Sequence, residues 1–154
     1  MKKFLLITVC CFCLCGCLKS NKTTDIKQIE SSLREIPTIS DICVATEEND
    51  PNGQLNKEGG YTGALFFKLA NLEETHTEDA CQEGTAAGGS IEIYKNVNDA
   101  KKRNEYLSIF DGGILASFHK IDGTIIIRIS NNLTASEQKE LYNTIVNKIH
   151  NTND

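Results

Sequence analysis

Apolar residues recur at helical spacing in three segments of the chain. In each segment they return every three or four positions, as on one face of an amphipathic helix. Residues able to cap a helix stand just before these segments: Thr24, Asn96 or Asn98, and Thr134, the last in a capping box with Glu137. The three apolar stripes are Ile26, Ile29, Leu33 and Ile36; Ala100, Leu107 and Phe110; and Leu141, Ile145 and Ile149.

Five further segments, rich in β-branched and aromatic residues, predict strands. They cover residues 39–46, 61–69, 90–95, 114–121 and 124–130. Between the last two stands Asp-Gly, a pair typical of a two-residue hairpin turn. The order α-β-β-β-α-β-β-α predicts an α+β fold, in which an antiparallel sheet of about five strands has its helices packed on one face.

The first residues are typical of an export signal. Lys2 and Lys3 precede an apolar run over residues 4–15. The run is too short for a transmembrane helix, which needs roughly 20 residues. A charged start followed by a short apolar run therefore predicts a secretory signal peptide.

The apolar run leads into Leu-Cys-Gly-Cys at residues 14–17, which resembles the lipobox of bacterial lipoproteins. In that class of signal the last cysteine receives a diacylglycerol, and the chain is cut just before it. We therefore expect a signal peptide at 1–16, a lipidated Cys17 with a polar tether over 17–24, and a single α+β domain at 25–154. The alternative is an ordinary secretory signal that leaves Cys17 as a plain thiol.

Charge bears on the partners of the domain. The chain has 16 Lys and Arg against 21 Asp and Glu, a net charge of −5, and loss of Lys2 and Lys3 with the leader would bring it to −7. An acidic chain of this kind argues against nucleic acid as a partner. Lys101, Lys102 and Arg103 are expected on the solvent side of the second helix.

Two cysteines, Cys43 and Cys81, remain in the mature chain once Cys17 is acylated. In an exported protein two such thiols favour one disulfide. The alternative is a pair of buried thiols that act as small apolar side chains.

One segment partly fits a calcium loop. Glu48, Asp50 and Asn52 place oxygen ligands at alternate positions, and Gly53 follows. The twelfth position is Gly59, where a calcium loop needs a bidentate Glu. We therefore interpret the segment as a rigid Pro-Asn-Gly turn, with the three residues as a weak metal candidate, and predict no cofactor.

Catalytic signatures do not emerge from the sequence. His76, His119 and His150 lie far apart and lack the short spacing of a zinc site. The chain contains no HExxH or GxSxG motif, and its Gly-rich segment lacks the Lys-Ser/Thr of a phosphate-binding loop.

Longer patterns resemble a family of uncharacterised secreted proteins and lipoproteins of Gram-positive bacteria. The residues that carry the resemblance are TEENDPNGQLNKEGGYT at 46–62, GGSIEIY at 88–94, DAKKRNEYL at 99–107 and LTASEQKEL at 133–141. The resemblance implies a location in the cell envelope and a single αβ domain. It supplies no catalytic residues.

The sequence therefore predicts a lipoprotein anchored in the cell membrane through Cys17, outside the cytoplasm. Its partners would be the membrane and an unknown protein or small-molecule ligand, which it binds without catalysis. The alternative is an envelope hydrolase or transferase whose site is not recognisable in the sequence.

Overall fold

A computed structural model describes residues 25–113 and 117–151 of the chain. The expected signal peptide, Cys17 and tether, and the start of the strand expected at 114–121, lie outside these residues. The elements are α1 (Ile26–Arg34), β1 (Ile39–Val44), β2 (Gly63–Leu69), a 3-10 turn (Ala70–Leu72), α2 (Ala80–Glu83), β3 (Gly88–Ile93), α3 (Val97–Ser108), β4 (Phe118–Asp122), β5 (Ile125–Ile129) and α4 (Ala135–Asn151).

The predicted fold class is confirmed. Five antiparallel strands form one sheet in the order β1-β2-β3-β5-β4. The element order also matches the prediction, with the short α2 added inside the segment between β2 and β3. The hairpin between β4 and β5 forms, but its turn is Gly123-Thr124, one residue later than the expected Asp122-Gly123, because Asp122 ends β4 and pairs with Ile125. Gly123 takes a positive φ of 61° at the first position of this turn.

The helices cover both faces of the sheet, which corrects the expectation that they pack on one face. On one face, α1 and α4 pack against a core that includes Leu65, Phe67 and Ile127. On the other face, α2 and α3 pack against Ala64, Phe66 and Ile126. Every residue of β3 and β5 is buried, as expected for central strands covered on both sides.

Local signals in the sequence fix the ends of the helices. Asp25, rather than the expected Thr24, caps α1 by accepting a hydrogen bond from the Lys27 N–H. The capping box that precedes α4 forms as expected, because Glu137 accepts hydrogen bonds from the N–H and hydroxyl of Thr134. Most residues of the three predicted inner stripes are buried, whereas Ile26 and Phe110 are only partly buried. The buried ones are Ile29, Leu33, Ile36, Ala100, Leu107, Leu141, Ile145 and Ile149.

The chain enters the described domain at one end of the sheet. A Cβ atom on Gly63, at the start of β2, would lie 3.6 Å from side-chain atoms of both Ile26 and Ile93. The start of α1 therefore lies beside the start of β2 and the end of β3. No helix within residues 25–113 and 117–151 has both the length and the apolar character needed to cross a bilayer.

Candidate functional site

An apolar groove of about 560 Å³ lies at the other end of the sheet, where β2 finishes. It is assembled from the corner after α1, the segment that leaves β2, and the first turns of α4. Its apolar walls are Ile36, Pro37, Leu69, Ala70, Leu133 and Leu141. Because Ile36, Leu69, Leu133 and Leu141 belong to the core on the α1–α4 side, the groove opens from that face of the molecule.

The rim of the groove is polar and acidic, with Thr38, Asn71, Glu137, Glu140 and Thr144. The Glu137 carboxylate is occupied by the Thr134 hydroxyl and N–H, at 2.6 and 2.8 Å, and these hydrogen bonds lower its pKa. The exposed Glu140 carboxylate has no hydrogen bond or ion pair to another described side chain. The groove thus combines an apolar wall with a free negative charge.

Asp50 organises the loop between β1 and β2 as a turn. Its carboxylate accepts hydrogen bonds from the N–H groups of Asn52, Gln54 and Leu55, at 3.0, 2.6 and 2.9 Å, and from the Tyr61 hydroxyl. Burial would raise the pKa of Asp50, but these hydrogen bonds outweigh it and lower the pKa. The carboxylate oxygens of Asp50 in this weak metal candidate therefore already accept hydrogen bonds from the protein.

The other two residues of the metal candidate do not complete a ligand set around Asp50. The side-chain amide of Asn52 donates to the Tyr61 hydroxyl at 3.4 Å, and Glu48 is exposed. Gly53 has a φ of 59°, as the expected Pro-Asn-Gly turn needs. Burial and the adjacent Asp50 raise the pKa of Tyr61, so its hydroxyl keeps its proton and remains a donor to the loop.

A buried charged cluster lies between α3 and the sheet. Glu92, on β3, is fully buried, and its carboxylate accepts hydrogen bonds from Arg103 at 3.1 and 3.2 Å and from Arg128 at 3.3 Å. Tyr94 donates its hydroxyl proton to the same carboxylate at 2.7 Å, and Arg128 donates to the Ser117 hydroxyl at 3.2 Å. The cluster joins α3, β3 and β5 through one carboxylate.

The position of Arg103 corrects the sequence prediction, which put it in solvent with its two lysine neighbours. Its side chain is only 17% exposed because it turns inward to Glu92. Burial would lower the pKa of Arg103, but the Glu92 carboxylate outweighs this effect and raises it. Burial and the charge of Glu92 raise the pKa of Tyr94. Two guanidinium groups and a protonated phenol therefore surround a single carboxylate.

Cys43 and Cys81 are joined in a disulfide, with their Cα atoms 5.5 Å apart. The bond ties β1 to α2. With Asp79 the two sulfurs form the one group of three metal-ligand side chains within 4.8 Å that the described residues contain. Asp79 caps α2 by accepting from the N–H groups of Cys81 and Gln82. With its sulfurs bonded to each other and Asp79 capping α2, this group of three side chains serves a structural role.

The three histidines lie at separate places and pair with different partners. His76 contacts Glu83 at 2.8 Å, and His150 contacts Asp122 at 2.7 Å. The ring of His119 lies between Asn104 on α3, at 2.8 Å, and Asp111, at 3.2 Å. Each histidine therefore fastens one loop or helix to its neighbour.

Sequence reasoning singled out neither the groove nor the buried cluster. The groove draws its walls from three separate segments of the chain, and no local motif marks such an assembly. The chain matches no family model, no curated protein and no solved structure in the comparisons made. A functional assignment therefore depends on the geometry and charge of the groove.

Proposed function

We propose that this protein is a lipid-anchored lipoprotein on the outer side of the bacterial cell membrane. It binds, without catalysis, a ligand that has an apolar part and a positive charge. The observation that carries the proposal is the groove between the α1–β1 corner and α4, with its apolar walls and the free carboxylate of Glu140. The anchor rests on the sequence of the first seventeen residues.

The dimensions of the groove suit a small ligand or one side chain of a peptide. Binding pockets for such ligands usually measure roughly 300–1,000 Å³ and have apolar walls with few polar groups. The groove, at about 560 Å³, lies within this range. Its walls would bury the apolar part of a ligand, and Glu140 would select a cationic group over an anionic one.

The topology keeps this groove apart from the expected anchor. The tether would join the domain beside Gly63, where β2 starts, whereas Leu69 at the end of β2 lines the groove. Six residue steps along a strand span about 20 Å. The groove therefore remains accessible while the other end of the domain is held near a membrane.

A pair of probes of equal length and opposite charge tests the groove. We expect octylammonium to bind the methyl-labelled, unlipidated Cys17→Ala protein more tightly than octanoate, with methyl NMR shifts at Leu69, Leu133 and Leu141. Charge reversal by Glu140→Lys should weaken octylammonium binding about thirtyfold, because an attraction of roughly 1 kcal/mol becomes a repulsion of similar size, a change of about 2 kcal/mol.

Glu58→Lys is the matched control for this experiment. It makes the same change in net charge in the exposed loop at the other end of the molecule. It should leave the affinity for octylammonium unchanged. Equal binding of octanoate, or shifts that map to residues away from the groove, would contradict the proposed ligand class.

The anchor is tested by Cys17→Ala in the bacterial cell. We expect the variant to lose palmitate labelling and to leave the membrane fraction, because it lacks the thiol that carries the lipid. Cys15→Ala is the matched control, since position 15 is the variable position of the lipobox-like segment and should tolerate alanine. Palmitate labelling of the Cys17→Ala protein would show that the lipobox assignment is wrong.

A further inference from the structure

The large apolar side chains that are exposed in the described residues all belong to α3 or to its C-terminal cap. Val97 is 42% exposed, Tyr106 is 50% exposed and Ile109 is 75% exposed. Val97 lies about two and a half turns before Tyr106 and therefore on the other side of the helix, where a single exposed apolar group is common. Tyr106 and Ile109 lie on the same side and together form an exposed apolar pair of the kind that marks an interaction surface.

Two of these residues form a stripe with a basic side chain. Lys102, Tyr106 and Ile109 follow at spacings of four and three residues, which places them on one side of the helix. Phe110 extends the apolar area, since its ring packs edge-on against Tyr106 with centroids 5.2 Å apart. The stripe thus combines aromatic, aliphatic and cationic groups.

We propose that this outer face of α3, defined by Lys102, Tyr106 and Ile109, rests on an anionic phospholipid bilayer. Helices that lie in the plane of a membrane have this chemistry, with aromatic and aliphatic side chains at the acyl boundary and lysines at the phosphate level. The inference rests on the proposed function, because the lipid at Cys17 would hold the domain at that surface.

The charge around α3 differs from that of the whole chain. Four basic and three acidic residues lie from Lys95 to Asp111, but Arg103 turns inward to Glu92, so the remaining charges cancel, whereas the chain as a whole has −5. Of the acidic residues, Asp99 is engaged at the start of the helix, where its carboxylate accepts from the Asn96 amide at 2.7 Å. Glu105, beside Tyr106, is exposed. The segment is therefore close to neutral, and an anionic surface repels it less than it repels the chain as a whole.

The length and attachment of the tether agree with this orientation. Residues 17–24 span at most about 28 Å when extended, and the twelve residues of α3 span about 18 Å. The tether joins the domain beside Ile93, and α3 starts four residues after Ile93. A lipid on Cys17 can therefore enter the same bilayer on which α3 lies.

The orientation also leaves the groove open. The core under α3 lies on one face of the sheet, and the groove residues Ile36, Leu69 and Leu141 belong to the core on the other face. With α3 on the membrane, the groove would face away from it. The same domain could then hold a membrane on one side and a ligand on the other.

The absence of tryptophan from the chain allows a direct test. The full lipidated protein carrying Tyr106→Trp is placed in vesicles of phosphatidylcholine and phosphatidylglycerol, with or without bromine on the acyl chains. We expect brominated lipid to quench the fluorescence at least twofold. Asn143→Trp, on the exposed side of α4, is the matched control and should not be quenched.

Two further changes should reduce the quenching of Tyr106→Trp. Ile109→Asp removes the most exposed apolar side chain, and far-UV circular dichroism checks that the fold is retained. Vesicles of phosphatidylcholine alone remove the negative surface. Quenching that is unaffected by both changes would overturn the inference.

Flotation of the vesicles separates this inference from the proposed anchor. Protein that floats with the vesicles but shows no quenching at Tyr106→Trp, or equal quenching at Asn143→Trp, would overturn the inference and leave the anchor standing. Protein that does not float would remove the anchor and this inference together. A blue shift that grows with protein concentration without lipid would show that α3 faces a second copy, which would also overturn it.

Discussion

Replacing Glu92 with glutamine is expected to lower the free energy of unfolding by about 3–5 kcal/mol. Glutamine keeps the size of the side chain but removes the only carboxylate that faces Arg103 and Arg128 in the cluster. Both arginine side chains are largely buried, at 17% and 11% exposed, so their guanidinium groups would lose their counter-charge without gaining full hydration. Since domains are stable by roughly 5–15 kcal/mol, urea unfolding should show a large shift of the midpoint.

A matched control and a double variant identify the source of this loss. Glu105→Gln makes the same chemical change at an exposed position of α3 and should stay within about 0.5 kcal/mol of the native protein. Arg103→Met combined with Glu92→Gln should cost about 0.5–3 kcal/mol less than the two single changes added together, because it removes one unpaired charge. Additive effects, or a Glu92→Gln protein as stable as the native one, would show that the cluster does not hold α3 to the sheet.

The element order could be predicted because each element carries its own local signal. Thr134 and Glu137 cap the start of α4 from within four residues, and Gly123, with its positive φ, sets the turn of the hairpin. The stripes of α1 and α4 follow from the helical repeat alone. Such signals can be recognised in a single sequence because they do not depend on which distant segment packs against the element.

The second layer of helices could not be predicted because polar residues occupy the strand face beneath it. Ser90 and Glu92 alternate with Ile91 and Ile93, a pattern typical of a strand with one face in solvent. In the fold, Arg128 on β5 lies opposite Ser90, and Glu92 is neutralised by charges brought from β5 and α3. In the sequence alone, a strand face that carries a buried ion cluster therefore shows the same alternating pattern as a strand face in solvent.

Close packing inside the sheet could likewise not be predicted at Gly89, which lies just before the strand expected at 90–95. A Cβ atom on Gly89 would lie 2.3 Å from the Arg128 carbonyl oxygen and 2.4 Å from the Phe67 ring. Only glycine fits there, so a residue that suggests a flexible turn in the sequence belongs to a fully buried strand. The contact partners lie more than twenty residues away along the chain, beyond the reach of local patterns.

Loss of the bond between Cys43 and Cys81 is the second change expected to have a large effect. The bond closes a separation of 38 residues, and chain entropy assigns such a closure about 4 kcal/mol. The closed segment contains both long connections on either side of β2, which the bond keeps from separating in the unfolded chain. We expect reduction to lower the free energy of unfolding by about 3–4 kcal/mol in urea titrations.

The local consequence should concentrate at α2. This helix has only four residues, too few to be stable by itself, and the Cys81 bond and a hydrogen bond from the Ala80 N–H to Asp41, at 3.2 Å, link it to β1. After reduction, amide exchange at Cys81–Glu83 should accelerate before exchange in β2 does. The Cys43→Ala, Cys81→Ala double variant serves as the control, since its unfolding curve should not respond to reductant.

Peptide mapping of the non-reduced mature protein supplies the chemical test of the same bond. A linked pair of peptides containing Cys43 and Cys81 is expected, because the two Cα atoms are 5.5 Å apart, within the range that a disulfide spans, and the proposed export would expose the chain to oxidising conditions. Free thiols at both positions in native protein would contradict it. They would also mean that α2 is held by the Asp41 contact and by burial of Ala80 and Cys81 alone, so reductant would then leave the unfolding midpoint where it was.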